Sequence, residues 1–163
     1  VKIWQEVFRH FGQESSADEM QKWERTYWRT VQSKTRVFPE APPVLIDLSA
    51  KYGPLGLITN TQGQSDANTH RISAYPELAA LFAATVVAGE NGVPTKPAPQ
   101  PFAVCLEKLG VAAEESVYVG DDWRIDVCGA HDFGMHPVWL KHHTVNRNYP
   151  EGGADVPVAH RPS

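Results

Sequence analysis

"VYVGDDWRID", residues 117–126, is the stretch on which the fold turns. Val117, Tyr118 and Val119 run into Gly120, two aspartates follow at once, and a third stands at Asp126. An apolar run of this length closed by glycine predicts a short buried strand. Residues 123–132 predict a helix after it. The strand therefore delivers Asp121, Asp122 and Asp126 to the loop at its carboxyl end. Carboxylates this close repel one another, and the repulsion destabilises the fold unless a cation or hydrogen-bond donors offset it. Oxygen ligands of this kind suit Mg²⁺, which takes one or two carboxylates and completes its shell with water and phosphate oxygens.

Working outward, "FAVCLEKL" (102–109) predicts a helix that stops at Gly110, as a glycine just past a helix end does. "ATVVAG" (84–89) and "LGLITN" (55–60) predict two further strands, with a short helix "PELAALF" (76–82) between them. The polar "GQSDANTHRIS" (63–73) reads as a loop or loose helix. The proline-rich "ENGVPTKPAPQP" (90–101) is a loop and carries Lys96. Downstream, "HPVWL" (136–140) is a fourth strand and "DVPVA" (155–159) a fifth, weakened by Pro157. Strands alternating with helices predict an open, mostly parallel α/β sheet. Ligands of such sheets lie beyond the carboxyl ends of the strands. Thr59 and Asn60 lie at one such end, the three aspartates at another, and Lys96 in the loop after a third.

The amino-terminal segment is different. Ile3, Trp4, Val7, Phe8 and Phe11 share one helical face, and Met20, Trp23, Tyr27 and Val31 form the stripe of a second helix. Ser16 and Glu19 between them have capping-box spacing. The two helices are expected to pack as a hairpin. Pro42 and Pro43 then start a helix over 42–52, with Val44, Leu45, Leu48 and Tyr52 on its apolar face.

Composition bounds the rest. A chain of 163 residues with 42% hydrophobic residues and five tryptophans supports one domain with a small appendage. A net charge of −4 gives no reason to expect nucleic acid or an anionic membrane as partner. The longest apolar run, residues 78–89, is well short of the roughly 20 needed to span a bilayer. The start of the chain lacks the unbroken apolar region of a signal peptide. The expectation is a soluble cytoplasmic protein, with Cys105 and Cys128 as buried free thiols. His131 and His136, and the adjacent His142 and His143, lack the spacing of a zinc site. Gly53, Gly56 and Gly63 do not make a dinucleotide fingerprint, and no Gly-x-Ser-x-Gly elbow is present.

The order of the pieces is more specific than any one of them. A strand ends in a hydroxyl-bearing residue, a Lys-Pro follows in a loop, then an apolar helix, then a strand ending Gly-Asp-Asp-x-x-x-Asp. This resembles the haloacid dehalogenase superfamily of hydrolases over roughly residues 36–142. "LGLITN" matches its second motif, "GENGVPTKPAPQPF" its third and "SVYVGDDWRIDVCGA" its fourth. The resemblance implies a Rossmann-like fold and phosphatase-type, Mg²⁺-dependent chemistry on a small phosphorylated molecule. Thr59 would donate its hydroxyl, and Asn60 its backbone N–H, to a phosphoryl oxygen. Lys96 would neutralise charge on the phosphoryl group, and Asp121 and Asp126 would hold the metal. Asp122, where many relatives carry serine, would be an acceptor behind them.

The same resemblance requires a first motif, a strand ending Asp-x-Asp whose first acid is the nucleophile. None is found. The nearest candidate, Asp47 in "VLIDLS" (44–49), sits on the expected helix, and only seven residues separate it from Leu55. A parallel crossover needs a dozen or more. The expectation is therefore a helical cap remnant over 1–38 and an α/β core over 39–163 that lacks its first strand. Such a chain would be inactive or nearly so alone, with Mg²⁺ bound weakly or not at all. The other reading is a non-catalytic binding or oligomerisation module on the same fold. The missing strand would leave a slot between the strands ending at Asn60 and Asp121. Three closures are open: direct pairing of those strands, the carboxyl-terminal stretch, or a second chain in a homodimer.

Overall fold

The structure, a computed structural model, describes residues 2–60 and 71–141. They fall into two compact units, one made of 2–55 with 71–83 and the other of 56–60 with 84–141.

The first unit is mainly helical. Helices α1 (Lys2–His10) and α2 (Ala17–Lys34) form where the periodicity predicts them. Ser16 caps α2 reciprocally: Glu19 N donates to its Oγ at 3.3 Å, while its own N–H donates to Glu19 Oε2 at 2.9 Å. These bonds hold the exposed Glu19 carboxyl below its ordinary range, the backbone N–H of Ser16 contributing most. The helices meet through aromatic edges, Trp4 on Tyr27 at 5.5 Å and Phe8 on Trp23 at 6.5 Å. Of the α2 stripe, Met20 is buried, but Trp23 and Tyr27 remain about half exposed. Helix α3 (Ala41–Tyr52) begins with its two prolines in the first turn. Leu45 and Leu48 are half-buried, whereas Val44 and Tyr52 stay exposed, so its apolar face is narrower than expected. Asp47 lies within α3, which removes it as the end of a strand. A 3₁₀ turn (Arg71–Ala74) and the single-turn α4 (Pro76–Ala79) complete the unit. The Tyr75 hydroxyl donates to Thr35 O at 2.7 Å, a tie that no sequence pattern announced.

The second unit holds most of the strands: β1 (Leu55–Asn60), β2 (Phe82–Ala88), β3 (Val117–Gly120) and β4 (His136–Trp139). β2 begins two residues earlier than predicted because α4 ends after one turn. From Ala84, its buried residues alternate, Ala84, Val86 and Ala88, as a strand requires. Helix α5 (Gln100–Leu109) ends at Gly110, whose φ of 68° is the left-handed cap. Phe102 on α5 is fully buried among Ile58, Val86, Leu106 and Met135. A Cβ at Gly56 would lie 2.6 Å from Cys105 Sγ and 2.9 Å from Leu109, so the glycine is what lets α5 lie directly on β1. Cys105 is buried and Cys128 half-buried, both are free, and burial pushes both thiols up.

β3 and β4 are parallel, with Val117 opposite His136 and Gly120 opposite Trp139, and β1 pairs with β2. The fold is α/β with parallel strands flanked by helices, as expected. Among the described residues, however, the strands form two separate pairs instead of one sheet. Direct pairing of β1 with β3, one of the three closures of the slot, is not what these strands do. "DVPVA" (155–159), residues 63–70 of the polar loop, His142 and His143 lie outside the described residues. No helix among the described residues is long and apolar enough to cross a membrane.

Candidate functional site

Lys96 is the centre of the site. Asn60, the last residue of β1, binds the main chain of Lys96 with both ends of its amide. Its Oδ1 accepts from Lys96 N at 2.8 Å and its Nδ2 donates to Lys96 O at 3.1 Å. This reciprocal pair fixes a loop residue 36 positions further along the chain, next to the cis Lys96–Pro97 bond. From that anchor the ammonium donates to Asp126 Oδ1 at 2.7 Å, to the Tyr118 hydroxyl at 2.8 Å and to Ile58 O at 3.2 Å. The Lys96 and Asp126 side chains are only 9% and 7% exposed. Buried charges of opposite sign, hydrogen-bonded to each other and to further polar groups, are the arrangement that keeps such burial tolerable.

Tyr118 stands on β3 with its edge against the Phe102 ring at 5.2 Å. Its hydroxyl accepts from Lys96 and donates to Asp126 Oδ1 at 3.3 Å. Burial, and then the Asp126 carboxylate, push this phenol far above its ordinary range. It is thus a neutral donor and acceptor at any physiological pH.

The loop after β3 divides its three acids among three tasks. Asp122 Oδ1 accepts from Arg124 N and Ile125 N, both at 3.0 Å, and caps the helical turn Trp123–Cys128. That turn is π-helical, with Val127 N reaching back to Asp122 O at 3.2 Å. It leads into the short α6 (Gly129–Asp132). Asp126 turns back toward β3, where its Oδ2 accepts from Asp122 N at 3.0 Å. A Cβ on Gly120 would lie 2.3 Å from Asp126 Cβ, so only glycine admits this approach. Asp121 is exposed, and its carbonyl accepts from Trp139 Nε1 at 3.2 Å, while Leu140 N holds Gly120 O at 2.8 Å. Trp139 in turn packs on Trp123 at 4.8 Å. Thr59 is half-buried on β1 between Ile58 and Asn60.

Asn60, Lys96 and Asp126 are thus brought into one network, with Asp122 joined through its main chain. The carboxylates of Asp121, Asp122 and Asp126 do not converge: no group of three His, Cys, Asp or Glu side chains capable of holding a metal forms among the described residues. Aspartate oxygens have the right chemistry for Mg²⁺, but those of Asp126 are bonded to Lys96, Tyr118 and Asp122 N. The arrangement as it stands does not fit the ion. Sequence reasoning missed Tyr118 and Trp139. The signal for Tyr118 was its register, since it shares a strand face with Gly120.

The family model of haloacid dehalogenase-like hydrolases matches residues 4–140. The chain is 32% identical over 142 residues to a phosphoglycolate phosphatase of Yersinia pseudotuberculosis, covering 82% of this chain and 56% of that protein. It therefore spans little more than half the length of this relative. Among solved structures it is similar to a HAD phosphatase from Thermococcus onnurineus, at 26% identity and a TM-score of 0.61, covering 90% of this chain and 62% of that one. It is also similar to a 2-haloacid dehalogenase from Pseudomonas syringae, at 28% identity and a TM-score of 0.61, covering 83% and 56%.

Proposed function

We propose, from the premise that this chain belongs to the haloacid dehalogenase-like hydrolases, that it carries the phosphoryl-binding part of a phosphatase-type site. The observation that carries this reading is the convergence of β1, the Lys96 loop and the β3 loop on one buried ammonium. Thr59 and Asn60 stand at the end of β1. Lys96 supplies the positive charge that phosphoryl transfer needs, and Asp121 is exposed just past the end of β3. The substrate class is a small phosphomonoester, by analogy with the phosphatase relatives.

These 163 residues do not complete the reaction by themselves. Among the described residues no strand ends in the Asp-x-Asp pair whose first acid would attack phosphorus, and Asp47 is on a helix. Neither Lys96, which is hydrogen-bonded through all of its donors, nor Asp126, which is paired with it, can serve as nucleophile. Residues 1–38, with helices α1 and α2, then correspond to part of a helical cap. The decisive experiment is hydrolysis of an aryl phosphate by this chain with Mg²⁺, beside Asp121→Asn. No turnover in either is expected. Turnover that the substitution removes would overturn the reading that the chain is incomplete.

A second reading, a binding or oligomerisation module, is favoured by the exposure of the aromatic side chains Phe11, Trp23 and Tyr27 in the helical unit. Sedimentation at several concentrations tests it, with self-association sensitive to Trp23→Ser as its signature.

A further inference from the structure

We infer that Trp139, the last residue of β4, is a positioning residue for Asp121 and acts through the main chain of the loop after β3. This deepens the phosphatase-type reading above, on which the role of Asp121 rests. Where β3 and β4 end side by side, Leu140 N donates to Gly120 O at 2.8 Å. The next acceptor along the chain, Asp121 O, is taken by a side chain of β4: Trp139 Nε1 donates to it at 3.2 Å. The same peptide unit carries Asp122 N, which donates to Asp126 Oδ2 at 3.0 Å. One peptide is therefore gripped at both ends, its C=O from β4 and its N–H from the π-helical turn. A peptide unit is planar, so holding both ends sets its orientation and the dihedral by which Asp121 joins it. The exposed Asp121 side chain starts from that backbone, just past the end of β3.

The indole is itself held in place. Register sets Trp139 opposite Gly120, the last residue of β3. Its ring packs on Trp123 at 4.8 Å, and Lys141 Nζ stands over it, 4.3 Å from the ring centre. Trp123 is buried together with Val127 of the π-helical turn. Trp139 thus meets the loop on both sides of the clamped peptide, with its N–H at Asp121 and its ring at Trp123. An indole N–H only donates, so the bonds run in one sense: indole N–H to Asp121 C=O, then Asp122 N–H to the Asp126 carboxylate. Bonds chained in this way polarise one another, so loss of the first weakens the second. Phenylalanine at position 139 would keep the ring contact and lose the bond.

Nuclear magnetic resonance of the whole chain, with no phosphate or metal added, tests this separately from any hydrolysis. In the wild type a scalar coupling is expected across the hydrogen bond, between the Trp139 indole nitrogen and the Asp121 carbonyl carbon. In Trp139→Phe the Asp122 amide should exchange about threefold to tenfold faster, the effect of losing one ordinary hydrogen bond. The Leu140 amide, whose bond to Gly120 O the substitution leaves intact, should keep its rate. Equal acceleration at Leu140 and Asp122 would mean that Trp139 only packs, and would overturn the inference. So would an unchanged rate at Asp122. Should Trp139→Phe not fold, the wild-type coupling alone decides, and its absence overturns the inference. Turnover of an aryl phosphate by this chain would defeat the reading that it is incomplete and leave this inference standing. A missing indole bond would defeat this inference and leave the phosphatase-type reading standing.

Discussion

At Gly120 the absence of one carbon atom decides the site. Asp126 can fold back to meet Lys96 only because nothing projects from that backbone position. Gly120→Ala should cost about 1–3 kcal/mol, the usual range for overpacking, and loosen the Lys96–Asp126 pair. Urea denaturation measures the cost, and a change below the error of that method would show that the loop gives way freely. Tyr118 makes a second prediction at this scale. Its phenol is raised in the folded chain by burial first and by Asp126 next, with Lys96 bonded to its oxygen and Cys105 and Asp121 as further neighbours. An unfolded tyrosine ionises near pH ~10. Above that pH the unfolded chain loses a proton that the folded chain keeps, so the stability that Tyr118 contributes is intact below pH ~10 and falls as pH rises beyond it. The wild type should lose stability more steeply than Tyr118→Phe on the alkaline side, and parallel slopes would sink the assignment. Sequence order made Lys96 and the aspartates legible as a constellation. For Tyr118 it offered only the register shared with Gly120, and a tyrosine in an apolar strand reads equally well as core packing.

At the scale of elements, the reading succeeded where a local signal acts alone. Gly110 ends α5 and the Ser16–Glu19 pair starts α2, each through bonds made within a few residues. It erred where packing chose between neighbours: α4 is one turn long, and β2 starts at Phe82. The loop after β3 illustrates the same limit. An aspartate ahead of a helical stretch is a natural cap, yet three acids within the six residues 121–126 drew the reading toward metal. The two roles of Asp122 are separable. Asparagine caps a helix as well as aspartate does, whereas alanine loses about 1 kcal/mol. If Asp122 is a cap, Asp122→Asn should retain thermal stability to within a few tenths of a kcal/mol and Asp122→Ala should not. A charge-dependent role would instead make the two variants equally poor.

For the molecule as a whole, alternating strands and helices announced the fold class, and nothing in that alternation could announce that the strands would form two pairs. Backbone pairing depends on which edges face each other, and the sequence carries no local signal for that. Within the second unit the pairs share no ladder of hydrogen bonds. They are joined instead by side chains: Lys96, which bonds to β1 and to Tyr118 of β3, and the cluster around Phe102, which takes in Ile58 of β1, Val86 of β2 and Met135 ahead of β4. Phe102 also stacks on Phe133 at 5.7 Å and meets Tyr118 edge-on, so one ring touches both sides of the join. Removing it should cost about 3–5 kcal/mol, as for other buried aromatic rings. More tellingly, both strand pairs should lose protection together. In native-state hydrogen exchange of Phe102→Ala, the amides of β1–β2 and of β3–β4 are expected to speed up by a common factor, because the ring belongs to the cluster that takes in residues of both pairs. Loss confined to α5 would mean that each pair is stable by itself, and that the join carries little of the unit's stability.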